Sequence, residues 1–203
     1  MSIVVEHEKR RKKILKKALD IFIAEGFENT TFQKIAARCG ITRTTLYIYF
    51  KNKREIFNYS IKLLLTKVED DIKIILKDSS LDSPGKIIKV LYTVFQHLEE
   101  NRRLLLVILN YLLYLSKSNT NTEERIRRRT LRMRRTLTAM MIAGVKSGEL
   151  QPMDIKTAGD FLYSFFEAAV FRLVVLQGKT VGDLKKTAAF AVKQLAAAPR
   201  RSG

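Results

Sequence analysis

The side chains best placed to do chemistry lie between Thr31 and Lys53, and their chemistry is hydrogen bonding rather than bond breaking. Residues 42–49 read as a short helix with Arg43, Thr44 and Thr45 on one side and Leu46 on the other, with Phe50 beyond its end. Short polar side chains let such a helix come close to base edges in a DNA major groove. Nothing in the chain assembles for catalysis. There is no Ser/His/Asp set and no glycine-rich phosphate loop. A single cysteine (Cys39) and two separated histidines (His7 and His97) offer no metal ligand set. The carboxylate pairs Asp70-Asp71 and Glu99-Glu100 read as solvated faces, so neither an enzyme nor a cofactor is expected.

Several elements must hold that short helix in place. Residues 8–25 carry Ile14, Leu15, Ala18, Leu19, Phe22 and Ile23 as one apolar stripe, ending at Gly26. The run Lys9 to Lys13 loads its start with positive charge, against the helix dipole, and a phosphate backbone nearby would relieve that conflict. Thr30 or Thr31 caps a second short helix, with Thr30 and Gln33 spaced as a capping box. Cys39-Gly40 breaks it, and Thr42 caps the next. A turn this short makes the two helices cross steeply, as in a helix-turn-helix. Asn52 then caps a long helix through Ile75. Further helices are expected over 87–98, 104–115, 123–145, 154–177 and 183–198, the last capped by Thr180 and Asp183.

Composition supports this helical reading. The chain has 203 residues, 46% of them hydrophobic, with 3 prolines and 9 glycines, few for a protein of many strands and tight turns. Its net charge of +18 attracts polyanions, nucleic acid first. Such charge alone confers affinity without specificity. The apolar run Leu104–Leu115 is interrupted by Asn110 and falls short of the roughly 20 residues a membrane-spanning helix needs. No secretion signal precedes the charged start, so a cytoplasmic protein without stable membrane association is expected.

Gly26-Phe27, Thr30-Thr31, Ile35-Ala36, Gly40-Ile41-Thr42, Leu46-Tyr47, Tyr49-Phe50 and Lys53 follow the order and spacing of the N-terminal signature of TetR-family regulators, which residues 8–57 resemble. The resemblance implies an all-α chain of about nine helices. A three-helix DNA-binding domain (1–53) would precede a helical effector-binding and dimerisation domain (54–203). It further implies a homodimer reading a palindromic operator, most often as a repressor released by a small molecule. By position, Arg43, Thr44 and Thr45 would face bases, with Arg43 able to grip guanine through two hydrogen bonds. Thr31, Gln33, Thr42, Tyr47, Tyr49, Lys51 and Lys53 complete the expected DNA-binding set, most of them as phosphate contacts that fix register. Thr44 stands where family members often carry a small residue, frequently glycine. It either restricts backbone approach or adds a methyl contact to thymine.

Beyond the signature, the two C-terminal helices pair bulky with small residues and are apolar over most of their circumference, which calls for cover from a partner subunit. Phe161, Phe165, Ala168, Ala169, Arg172, Ala188, Ala191 and Leu195 are the expected interface. Tyr92, Phe95, His97, Tyr111 and Tyr114 offer apolar faces with polar tips for an effector pocket. In the arginine-rich segment 125–135 most of the charge forms a solvated face, but Arg127 and Arg134 border the apolar stripe. That placement suits an anionic effector with a hydrophobic body, such as an acyl-coenzyme A or a fatty acid. The rival reading is a DNA-binding structural protein of nucleoid or division type that uses the same reading head without a ligand.

Overall fold

A computed structural model describes residues 3–117 and 122–198, with side chains described for 5–115 and 132–198. Among the described residues there are nine α-helices and no strand. They are α1 (Ile3–Asn29), α2 (Phe32–Cys39), α3 (Arg43–Tyr49), α4 (Lys53–Lys77), α5 (Ser83–Glu100), α6 (Arg102–Lys117), α7 (Thr122–Ser147), α8 (Ile155–Val174) and α9 (Gly182–Leu195). No helix among the described residues is long and apolar enough to cross a membrane. The chain divides into two compact units, Met1–Lys67 with Leu106–Tyr114, and Val68–Leu105 with Leu115–Gly203. Helix α4 therefore begins in the first and ends in the second, while α6 gives its middle turns to the first.

In the first unit the apolar stripe of α1 (Ile14, Leu15, Ala18, Phe22) is buried together with Ile35 and Ala36 of α2, Leu46 of α3, and Ile56 and Phe57 of α4. An aromatic cluster closes one end. The Phe57 ring lies 4.8 Å from Phe22 and 5.1 Å from Phe27, and Tyr111 of α6 sits 4.3 Å from Phe27 and 4.9 Å from Phe57. Each such pair adds about 0.5–1.5 kcal/mol beyond its buried area. Gly26 breaks α1 at φ 79°, a left-handed conformation that favours glycine, and the buried Thr30 hydroxyl donates to the Gly26 carbonyl at 2.6 Å. The carbonyls that this break leaves without helical partners are gathered by one side chain. Lys53 Nζ donates to the carbonyls of Phe27, Glu28 and Thr30, each at 2.9 Å.

The core of the second unit is built from Ile87, Leu91 and Phe95 of α5, Leu137 and Met141 of α7, Leu162 and Phe166 of α8, and Ala188 and Val192 of α9. Two carboxylates tie loops to helix starts. Glu149 accepts from the Ser83 backbone at 3.0 Å at the head of α5. Glu99, on α5, accepts from the Val181 N–H and from Lys185 Nζ, both at 2.7 Å. Burial pushes the Glu99 pKa up, but these two donors outweigh it and hold the carboxyl below the usual glutamate value. This corrects the expected Thr180/Asp183 cap of α9: no side chain caps the helix at its N-cap Val181, and a carboxylate distant in sequence serves it instead.

Candidate nucleic-acid interface

Two short helices and one glycine set the geometry. Thr31 is the N-cap of α2, its hydroxyl accepting from Lys34 N at 3.2 Å. The expected capping box does not form, because Thr30 turns its hydroxyl back to α1. Gly40 ends α2 at φ 69°, with its N–H donating to the last carbonyls of α2. Thr42 then caps α3, accepting from Thr45 N at 3.0 Å and sharing a hydroxyl–hydroxyl bond of 2.8 Å with Thr45. Fully buried Leu46 and Phe50 fix the rotation of α3, so its opposite face must point outward.

That outward face carries Arg43, Thr44, Tyr47 and Ile48, with Thr45 half-buried at its edge. Arg43 donates to the Tyr47 hydroxyl at 3.1 Å and lies over its ring, and the Tyr47 ring packs 4.6 Å from Phe32 of α2. The guanidinium is thus held out from the helix on a braced platform, which lowers the rotamer entropy lost on binding. Thr31, Gln33 and Lys51 are exposed around this face, and Tyr49 is half-buried at its end. Lys53 is turned elsewhere. All three ammonium protons are directed at backbone carbonyls, with the Phe27 ring 4.7 Å away, and burial draws its pKa below the usual lysine value.

The residues read as an effector pocket are not brought together. Tyr111 belongs to the aromatic cluster of the first unit, and Phe95 is fully buried in the core of the second. Tyr92 and Tyr114 are exposed. His97 Nε2 meets Asp71 Oδ2 at 2.7 Å while its buried Nδ1 has no partner among the described residues. Arg134 pairs with Asp160 at 3.2 Å and lies 4.7 Å over Tyr163, leaving its buried Nε likewise unmatched. The side chain of Arg127 lies outside the described residues.

The expected interface set also divides. Phe165, Ala169 and Ala188 are buried within the chain. Phe161 and Arg172 are exposed, and Ala168, Ala191 and Leu195 are half-buried. Sequence reasoning missed the exposed rings of Phe171 and Phe190, at 53% and 64%. In helices apolar on nearly every side, only packing distinguishes the inward register. It also missed Ile48, 69% exposed on the outward face of α3, although its place two residues beyond Leu46 was a usable signal.

The matches with known proteins follow the same geography. Residues 14–59 match bacterial regulatory proteins of the tetR family. Among curated proteins, the fatty acid metabolism regulator of Bacillus subtilis is 25% identical over 170 residues, spanning 80% of this chain and 84% of that one. Among solved structures, a TetR transcription regulator from Haloarcula marismortui has a TM-score of 0.81 at 18% identity, covering 93% of this chain and 99% of that one. The regulator FadR from B. subtilis, in complex with stearoyl-CoA, has a TM-score of 0.68 at 21% identity, covering 91% and 96%. These relatives are named as regulators of transcription or metabolism, and none as an enzyme.

Proposed function

We propose that the chain is a DNA-binding transcriptional regulator of the TetR type, as the match over residues 14–59 supports, and that it acts as a homodimer reading a palindromic operator through two copies of α3. The observation that carries this is the braced Arg43, held by Tyr47 on an outward face of short side chains. Arg43 reads guanine, Thr44 and Thr45 meet neighbouring bases, and Thr31, Gln33, Thr42, Tyr47, Tyr49 and Lys51 hold phosphates. Lys53 acts one step back, by fixing the α1 break against the start of α4. The dimer forms through the exposed side of α8 and α9, where Phe161, Phe171 and Phe190 stand beside Arg172, Ala168, Ala191 and Leu195. Burying such rings is worth about 1.5–3 kcal/mol each.

The effector we propose is an amphiphilic anion of the acyl-coenzyme A type, bound in the second unit. Support comes from the relative named for fatty acid metabolism and the neighbour that holds stearoyl-CoA. The buried nitrogens of His97 and Arg134 that find no partner among the described residues supply polar atoms that such a ligand would satisfy. Binding shifts the population from a DNA-competent dimer to a released one, so the protein represses by default.

Selection from a random duplex library at near-physiological salt, with Arg43→Ala in parallel, tests the reading. The expected outcome is a palindrome from the wild type and lost preference at one symmetric position in the variant, worth about 1–3 kcal/mol per contact. Binding without an enriched motif, collapsing as salt rises, would favour a sequence-independent structural role instead.

A further inference from the structure

The family match begins at residue 14, yet α1 begins at Ile3, so about three helical turns precede the matched domain. Those turns carry Lys9, Arg10, Arg11, Lys12 and Lys13 in succession, with Lys16 and Lys17 one turn on. Two of these cations are occupied within the fold. The Arg11 guanidinium lies 4.2 Å over Tyr59 and 5.3 Å from the Phe50 ring, and Lys17 donates to the Arg38 carbonyl at the end of α2. Lys9, Arg10, Lys12, Lys13 and Lys16 are exposed and form no ion pair among the described residues. Neighbours three and four apart on a helix repel when they carry like charge, as Lys9 with Lys12 and Lys13, Arg10 with Lys13, and Lys16 with Lys12 and Lys13 do. A helix that keeps this arrangement is stabilised by an anionic partner.

The position of these turns says which anion. The His7 ring stacks on Tyr49, the last residue of α3, with centroids 4.5 Å apart and planes at 23°. Arg11 pins the next turn to Phe50 and Tyr59, immediately beyond α3 and at the start of α4. The turns that precede the matched domain are therefore fastened to the trailing end of the reading helix, beside whatever duplex α3 enters.

We infer that the exposed cations Lys9, Arg10, Lys12, Lys13 and Lys16 form a second DNA-binding surface, gripping backbone phosphates that flank the half-site read by α3. The grip is blind to sequence, because phosphates carry none. It lengthens the footprint of each protomer and steepens the salt dependence of binding. This inference rests on the DNA-reading role of α3, and the experiment separates the two.

The full-length protein is titrated against the duplex selected above, once trimmed to the conserved motif and once extended by about ten base pairs on each side, one helical turn, over a series of salt concentrations. The combined variant Lys9→Gln, Arg10→Gln, Lys12→Gln and Lys13→Gln is compared with an all-arginine version that keeps the charge. On the extended duplex the glutamine variant is expected to bind on the order of tenfold more weakly. Its slope of log affinity against log salt becomes shallower by about 0.9 for each phosphate contact removed. Wild type on the trimmed duplex behaves like the variant, and the arginine version retains the flank effect. Equal slopes for wild type and glutamine variant on both duplexes would overturn the inference while leaving the reading head intact. Loss confined to anionic phosphatidylglycerol vesicles, with DNA slopes unchanged, would overturn it in favour of a lipid surface. Failure of the wild type to select any motif would instead remove the DNA-reading premise.

Discussion

The two units of this chain solve the same packing problem in opposite ways. The first gathers its phenylalanines inward, although Ile48 and Leu113 stay exposed: four aromatic rings share one cluster, the buried Thr30 and Ser60 hydroxyls both find carbonyls, and Lys53 gathers three more. The second leaves Phe161, Phe171, Val175, Leu176 and Phe190 at its surface, and buried nitrogens of His97 and Arg134 without a partner among the described residues. On the proposed reading, a module that presents Arg43 to base edges would gain from so closely packed an interior. The second unit, on the same reading, would keep its unsatisfied groups for a partner chain and a ligand.

This contrast can be broken at three points. The largest effect on the protomer is expected from Tyr111→Ala, which opens a cavity beside Phe27 and Phe57 and costs about 3–5 kcal/mol by analogy with Phe→Ala core truncations. Thermal unfolding would show it as a fall of several degrees. A change under about 1 kcal/mol would mean the cluster is looser than its ring distances indicate. Next comes Lys53→Met, which leaves three carbonyls without their donor at a cost of about 1–3 kcal/mol in chemical denaturation. Because that ammonium points into the fold, the salt slope of operator binding should stay unchanged, whereas a loss of about 0.9 per protomer would reassign Lys53 to phosphate. Phe171→Glu should disturb the protomer least. Its circular dichroism stays helical while light scattering reports half the mass, and a persistent dimer would move the interface elsewhere.

What could be read from the residues alone depended on how far each determinant lay from its partner. The Gly40 break and the Thr42 cap act within a few residues, so the end of α2 and the start of α3 were legible in order and spacing. The N-terminal support of α9 was not, since the carboxylate that receives the Val181 N–H sits on Glu99, 82 positions away. The inward register of α8 was hidden for a different reason. Phe161 and Phe165 are both phenylalanines one turn apart, and only the packed core sets the second inside at 8% exposure and the first outside at 50%. Arg43 announced itself by type, and Tyr47 as a phosphate contact by resemblance, but the bond by which Tyr47 braces Arg43 appears only in the folded chain.

Tyr111 packs into the first unit's aromatic cluster from the middle of α6, nearly sixty residues downstream of Lys53 in the chain. The head is therefore not a portable cassette. A chimera that grafts residues 1–67 onto another sensor would carry Phe27 and Phe57 across but leave behind the ring that seals them. In evolution, then, the sixth helix and the reading head of this regulator are expected to be inherited as a pair, and exchange of operator preference between relatives should proceed through α3 alone.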